Sequence, residues 1–162
     1  MSLDTRGVQI PNGSKNPDDE HLKIISLSLA AIFLTNPSVA ETFEVQMLNK
    51  GETGAMVFEP SYLKVAVGDT ITFLPASKGH NAVTIKGMFP ENVEKFKSKI
   101  GKPFSVTLPV EGLYGIKCTP HYAIGMVALI QVGTAINLDE ALNVKHKGKA
   151  TARFETLFEK VN

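Results

Sequence analysis

Short β-rich segments, separated by glycines at close intervals, limit what this chain can fold into more than any other feature. The segments are five to seven residues long and rich in β-branched and aromatic side chains: 43–48, 62–67, 70–74, 80–85, 104–108, 113–117 and 126–132. The glycines are Gly51, Gly54, Gly68, Gly79, Gly101, Gly112 and Gly133. Because strands favour such side chains and turns favour glycine, the pattern predicts an antiparallel all-β sandwich.

The pattern changes after Gly133, where helical spacing replaces the short strands. Asn137 can cap a helix that places Leu138, Ala141 and Leu142 on one side. A second set of apolar residues at helical spacing follows: Ala152, Phe154, Leu157 and Phe158. We therefore expect a β-sandwich over residues 41–133, and two short α-helices in a C-terminal extension, residues 134–162, that packs on it.

The first forty residues have the proportions of an export signal. An apolar run at 24–34 follows Lys23 and is too short to span a bilayer, and the small residues Ser38 and Ala40 match the cleavage rule. This predicts cleavage after Ala40 and a protein of the bacterial periplasm, free of the membrane once cleaved. Residues 1–23 are long and acidic for such a signal, which leaves open a start assigned too far upstream, an unusual leader, or an N-terminal core helix.

Charge and cysteine content exclude several classes of protein. The formal net charge is +1, without the strongly basic balance that nucleic-acid binding requires. Cys118 is the single cysteine, so the fold cannot depend on an intramolecular disulfide. With 162 residues, 43% of them hydrophobic, the chain can form one globular core without such a cross-link.

Three candidate metal donors, Cys118, His121 and Met126, stand in one short loop between two predicted strands. A thiolate, an imidazole and a thioether suit copper that changes oxidation state, since soft sulfur favours the reduced ion and imidazole serves both states. A second imidazole would complete a trigonal set. His80, at the start of a predicted strand, is a better candidate for it than the histidines of the leader or of the predicted helices.

Each of these residues also has an ordinary interpretation. A lone Cys or Met is most often a core residue, and a lone His is most often at the surface or hydrogen-bonded in the core. Cys118-x-x-His121 also fits half of a zinc site, but the chain has no second cysteine and no other paired donors nearby. The combination of Gly-His80-Asn with Cys-Thr-Pro-His-x4-Met126 is more specific than its parts and predicts one redox copper.

Five stretches of the chain look like the signatures of one family: Phe43–Gly51, Gly54–Pro60, Lys78–Asn81, Glu94–Lys99 and Lys117–His121. On these residues the chain resembles the pseudoazurins, small blue copper proteins of the cupredoxin class found in denitrifying and methylotrophic bacteria. The resemblance extends over residues 41–162, including the predicted C-terminal helices. It implies a Greek-key cupredoxin sandwich of about eight strands with a type 1 copper at one end.

The same resemblance implies how the copper is held. Its ligands are the imidazoles of His80 and His121, the Cys118 thiolate and a long bond to Met126. Three residues beyond the ligands are implicated as well: Asn81, Pro120 and Gln46. The backbone N–H of Asn81 would donate to the cysteine sulfur, Pro120 has no N–H to offer it, and Gln46 stands where many members of the family have histidine.

The resemblance further implies a docking surface around the exposed edge of His121. Apolar residues surround that edge: Met56, Pro75, Pro120 and Ile124. Lysines lie around them and would attract an acidic partner: Lys50, Lys78, Lys97 and Lys117.

The implied function is electron transfer in the periplasm, from a monomer to a copper nitrite reductase in denitrification, with a c-type cytochrome as a further partner. Alternatives are a carrier for another enzyme, such as methylamine dehydrogenase, and a copper storage or delivery protein. An enzyme is not expected, because the metal uses all four donors and no position is left open for a substrate.

Overall fold

The computed structural model describes residues 39–162, which form two four-stranded sheets and two helices. The strands are β1 (Thr42–Gly51), β2 (Gly54–Glu59), β3 (Tyr62–Val65), β4 (Thr70–Leu74), β5 (Val83–Thr84), β6 (Phe104–Thr107), β7 (Gly112–Lys117) and β8 (Val127–Val132). The helices are α1 (Leu138–Leu142) and α2 (Lys149–Phe158). The predicted all-β fold with two C-terminal helices is confirmed, whereas residues 1–38 of the predicted leader lie outside the described residues. Within residues 39–162 no helix has the length and apolar character needed to cross a membrane.

The two sheets have mixed strand directions. The first has the order β2-β1-β4-β6 and the second the order β3-β8-β7-β5. The β1–β4 and β3–β8 pairs are parallel, and the other pairs are antiparallel. The prediction of antiparallel pairing throughout was therefore wrong for two pairs. In both, the chain visits the opposite sheet before it returns, so the second strand can run in the same direction as the first.

Two strands differ from the predicted segments. The sequence pattern missed β2, because Met56 has a left-handed φ of 52° and the buried residues Val57 and Phe58 are consecutive rather than alternating. The segment predicted as a strand from His80 is regular only at Val83–Thr84. His80 instead precedes β5 in irregular backbone, where its carbonyl accepts a hydrogen bond from the Gly101 N–H at 2.9 Å.

Apolar side chains form two clusters, one on each side of the second sheet. The cluster between the sheets includes Phe58 and Phe73, whose rings meet edge to face with centroids 5.9 Å apart. The other cluster joins the outer face of the second sheet to the helices, and Phe154 of α2 is 1% exposed there. Because apolar clusters cover both faces of the second sheet, every residue of β8 is buried. In the first sheet, β1 alternates between buried and exposed positions over much of its length.

Asn137 joins the extension to the second sheet. It precedes α1 at the N-cap position, as predicted, but its side chain makes no capping hydrogen bond. The Leu113 N–H instead donates to Asn137 Oδ1 at 2.7 Å, and Asn137 Nδ2 donates to the Leu113 carbonyl at 3.0 Å. The amide therefore pairs with main-chain groups of β7 in the way that a neighbouring strand would.

A buried carboxylate fixes the beginning of β1. Asp69, which is 4% exposed, accepts the Ala66 N–H at 2.7 Å and the Glu41 N–H at 2.8 Å, one on each oxygen. The Thr70 N–H in turn donates to the Glu41 carbonyl at 2.8 Å. Two charge-assisted hydrogen bonds thus hold the start of β1 against the turn before β4.

His146 lies between the helices with half of its hydrogen-bonding capacity unused. Its Nδ1 is 2.7 Å from the Tyr122 hydroxyl, and its ring stacks on Phe154 with centroids 4.2 Å apart. Its Nε2 is buried and has no partner among the residues described. This burial lowers the pKa of His146, because a protonated ring would carry a charge away from water.

We expect the free energy of unfolding to fall as the pH is lowered from 7 to 5, in part because of His146. In the unfolded chain the ring titrates near its ordinary pKa of about 6.5, so there it binds a proton more readily than in the folded protein. Its contribution to stability is complete above that pKa and is lost as the pH falls through the lower folded value. The measurement is urea unfolding of the copper-free protein at several pH values.

A comparison of variants separates the effect of His146 on stability from the effects of the other histidines. His146→Gln should show a shallower loss of stability on acidification than the original protein, whereas Lys145→Gln, which removes a charge from the exposed neighbouring residue, should keep the original slope. Equal slopes for the His146→Gln variant and the original protein would contradict the prediction.

Candidate metal centre

Three of the predicted ligands bring their donor atoms together at one point. His80 Nδ1 is 3.1 Å from His121 Nδ1, and the Cys118 sulfur is 3.7 Å from the first and 3.5 Å from the second. A triangle with these sides has a centre about 2 Å from each corner, close to the length of metal–nitrogen and metal–sulfur bonds in proteins. The spacing of the three atoms therefore fits a single metal ion, and the donor set fits copper.

His80 is held in the form that can bind a metal through Nδ1. Its Nε2–H donates to the side-chain oxygen of Asn49 at 2.8 Å, since that oxygen can only accept. The proton is thereby assigned to Nε2, and the lone pair of Nδ1 faces the other donors. Burial, and then the charge of His121, lower the pKa of His80 and keep the ring neutral.

Cys118 supplies the sulfur from a fully buried position, with 0% exposure. Burial raises the pKa of its thiol, while the nearby backbone N–H groups of Asn81 and His121 act in the opposite direction. A bound cation would favour the thiolate further. That the Asn81 N–H donates to this sulfur stays a prediction of the family resemblance.

Met126 closes the loop that carries the donors. The Cys118 N–H donates to the Met126 carbonyl at 3.0 Å, and the Met126 N–H donates to the His121 carbonyl at 3.1 Å. The Met126 side chain is 0% exposed and belongs to the same buried cluster as Cys118. The loop therefore presents a thioether from inside the core, which agrees with its predicted role as the fourth ligand.

Asn81 also ties the two parts of the site together through its side chain. Its Oδ1 accepts the Thr119 N–H at 2.8 Å, and its Nδ2 lies within 3.3 Å of Thr119 Oγ1 and 3.4 Å of the Ser98 carbonyl. Asn81 follows His80 and Thr119 follows Cys118, so this amide fixes one ligand-bearing segment against the other.

Two other residues predicted to act beyond the ligands have different surroundings. Pro120 is exposed within the ligand loop. Gln46 is exposed on β1, pointing away from the buried neighbours Val45 and Met47, and it makes no side-chain hydrogen bond to the other described residues. Among the described residues, the structure thus gives no hydrogen bond through which Gln46 would influence the predicted ligands.

Asn49 is a site residue that the sequence analysis missed. It lies at the end of β1, about thirty positions from the histidine it orients, and an asparagine beside a turn is usually explained by the turn itself. The available signal was its place within the Phe43–Gly51 stretch that the chain shares with the pseudoazurins.

Of the predicted ligands, His121 reaches the surface, while the other three are buried. Of the apolar residues predicted around it, Ile124 is 47% exposed, and Met56 and Pro75 are half-buried.

The predicted lysines adjoin residues of the site. Lys50 follows Asn49, Lys78 is two residues before His80, Lys117 precedes Cys118, and Lys97 lines a surface cavity with Asn81 and Thr119.

Comparisons with known proteins agree with this geometry. A sequence model of the copper binding proteins of the plastocyanin/azurin family matches residues 45–133. Pseudoazurin from Paracoccus pantotrophus is 48% identical over 143 residues, covering 88% of this chain and 99% of that protein. The crystal structure of pseudoazurin from Methylobacterium extorquens is similar with a TM-score of 0.73 and 43% identity, covering 75% of this chain and 99% of that one.

A second solved structure gives the same result. Native pseudoazurin from Hyphomicrobium denitrificans matches with a TM-score of 0.72 and 41% identity, covering 75% of this chain and 98% of that one. Sequence and structure are therefore shared over almost the full length of these relatives, and the donor cluster fits a type 1 copper. The chain belongs to the pseudoazurins, electron-transfer copper proteins of the cupredoxin class that act as carriers rather than enzymes.

Proposed function

We propose that His80, Cys118, His121 and Met126 hold one type 1 copper, and that the chain carries single electrons between redox proteins of the periplasm. The observation that supports this most directly is the convergence of three donor atoms, 3.1 to 3.7 Å apart, from two separate segments. Bound copper supplies a one-electron couple, because sulfur donors favour the reduced ion and imidazoles suit both oxidation states.

The protein's own contribution is to keep the donors in place. Asn49 orients one histidine, Asn81 joins the two ligand-bearing segments, and main-chain hydrogen bonds close the loop between Cys118 and Met126. Donors fixed in this way need little rearrangement when the charge of the site changes. A low reorganisation requirement is what rapid electron transfer needs, since no atoms have to move far during the step.

The half-exposed edge of His121 is the proposed route for the electron, with the apolar residues Met56, Pro75, Pro120 and Ile124 as the contact around it. The lysines at positions 50, 78, 97 and 117 would then attract an acidic partner before contact. We propose copper nitrite reductase as the partner that accepts the electron, and a c-type cytochrome as a further redox partner. Export by residues 1–40, with cleavage after Ala40, would bring the protein to the periplasm with them.

Steering by lysines predicts a rate that depends on salt. When reduced, copper-loaded protein is mixed with copper nitrite reductase, we expect the bimolecular rate constant to fall steeply as ionic strength rises, since the Debye length shrinks to about 8 Å at physiological salt. Lys78→Gln should lower the rate at low salt. Lys160→Gln, just past the end of α2 that is far from the ligand loop, is the matched control and should leave it unchanged.

A rate that is indifferent to salt and to Lys78→Gln would contradict steering. Three further outcomes separate the alternatives. Protein that takes up copper without developing a copper–thiolate band would contradict the metal centre itself. Copper that passes quickly to a chelator would favour storage or delivery, and rapid reaction with methylamine dehydrogenase in place of nitrite reductase would indicate a different partner enzyme.

A further inference from the structure

The guanidinium of Arg153, in α2, donates hydrogen bonds to main-chain carbonyls at the end of the molecule where the predicted copper ligands lie. Its Nη1 donates to the Gly125 carbonyl at 2.6 Å and to the Met56 carbonyl at 2.8 Å, and its Nη2 donates to the Ala55 carbonyl at 3.0 Å. The three acceptors belong to two segments that are distant in the chain, the ligand loop and the beginning of β2. One side chain therefore links both segments to the C-terminal helix.

On the ligand-loop side, the contact is made at the residue before Met126. Gly125 has a φ of +99°, and a Cβ at this position would lie 3.0 Å from Arg153 Cδ and 3.1 Å from its Nε. The glycine thus allows both the unusual turn and the close approach of the arginine. Its carbonyl is one peptide unit from the methionine that provides the predicted thioether ligand.

The first residue of α2 contacts the same loop. The Lys149 N–H donates to the Ala123 carbonyl at 2.9 Å, and a Cβ on Gly148 would collide with that carbonyl oxygen. Together with Arg153, one turn further along, the helix contacts the loop at two carbonyls. The loop between His121 and Met126 is therefore buttressed by an element outside the sandwich.

On the β2 side, the contact is made at a strained residue. Met56 has a φ of 52°, in the left-handed region that a residue with a side chain rarely adopts. Its carbonyl accepts one of the three Arg153 hydrogen bonds, at 2.8 Å. Met56 is also one of the apolar residues expected around the exposed His121 edge. Partial burial of the guanidinium lowers the pKa of Arg153.

We infer that Arg153 is a positioning residue of the metal centre, which sets the place of the Met126 thioether and of Met56 relative to the other donors. The inference rests on the proposed copper site, and it assigns α2 a role in positioning the ligands of that site. A guanidinium that makes three hydrogen bonds restrains two segments at once. The ammonium group of a lysine cannot reproduce this arrangement of three hydrogen bonds.

The test compares Arg153→Gln and Arg153→Lys with Lys149→Gln, which removes a charge from the same helix but leaves the Lys149 main-chain hydrogen bond intact. The first readout is amide hydrogen exchange of the copper-free protein. In both Arg153 variants the amides of Gly125 and Met126 should exchange faster by roughly tenfold or more, while those of Leu129 and Ile130 in β8 keep their rates. Lys149→Gln should resemble the original protein throughout.

The second readout uses the copper-loaded proteins. Both Arg153 variants should show altered relative intensities of the copper–thiolate bands and a shifted reduction potential, because the thioether position changes, and Lys149→Gln should show neither. An unchanged spectrum and potential, or an Arg153→Lys variant that matches the original protein, would overturn the inference. If Arg153→Gln does not fold, Arg153→Lys alone decides the question.

The two readouts also separate this inference from the proposed function. If the original protein bound no copper, the copper site would be wrong, but exchange in the copper-free variants would still show whether Arg153 restrains the loop. If the original protein is blue and the variants are indistinguishable from it, the copper site stands and the role of Arg153 fails.

Discussion

Cys118→Ser is expected to abolish the visible copper–thiolate band and to reduce one-electron transfer to the background rate. Cys118 is the single cysteine of the chain, it is fully buried, and its sulfur is one corner of the donor triangle. A serine hydroxyl does not ionise near neutral pH and is a poor ligand for reduced copper. The measurement is the visible spectrum during addition of copper, followed by the rate of transfer to nitrite reductase.

Thr119→Ser is the matched control for this variant. It changes the neighbouring residue of the same loop but keeps the hydroxyl that lies 3.3 Å from Asn81 Nδ2. The control should keep both the band and the transfer rate. A Cys118→Ser protein that stayed blue would show that the sulfur is not a ligand, and a colourless Thr119→Ser protein would show that the loop tolerates no change.

Asn137→Leu is expected to lower the free energy of unfolding by roughly 2–6 kcal/mol, because two buried main-chain groups of Leu113 lose their partners and each costs about 1–3 kcal/mol. Both the Leu113 N–H and its carbonyl are bonded to the Asn137 amide, and Leu113 is 0% exposed. Urea unfolding followed by circular dichroism measures the change.

Asn143→Ala provides the comparison, since this exposed asparagine bonds a single carbonyl within its own helix, at Asp139. Its loss should cost within about 0.5 kcal/mol, as most surface substitutions do. Similar values for the two variants would show that the Asn137 amide contributes little beyond an ordinary surface contact, and that water satisfies the β7 groups when the amide is absent.

The donor set was accessible from the sequence because the chemistry of its members is unusual and three of them are close in the chain. Residue type and close spacing mark three of them as candidate metal ligands: Cys118, His121 and Met126. His80 required a longer step, since nothing local marks it as a ligand, and the family resemblance supported its choice. The roles of Asn49 and Arg153 were not predicted, because both residues act through hydrogen bonds to groups 31 and 28 positions away in the chain.

The strand pattern was informative wherever a strand has one buried and one exposed face, as in β1 and β4. It failed at β2, where Met56 adopts a left-handed conformation and breaks the alternation. The relative direction of the strands in the β1–β4 and β3–β8 pairs could not be predicted from this pattern either. Parallel pairing there follows from the path of the chain between the two sheets, which local composition does not encode.

The hydrogen bond between the Glu41 N–H and the buried Asp69 has a consequence for maturation of the protein. If the leader is removed after Ala40, as proposed, this neutral amide becomes a positively charged terminal amine beside the same carboxylate. Proteolysis would then convert a charge-assisted hydrogen bond into an ion pair at the start of β1. Cleavage would thus change the charge beside a buried carboxylate of the sandwich as well as release the leader.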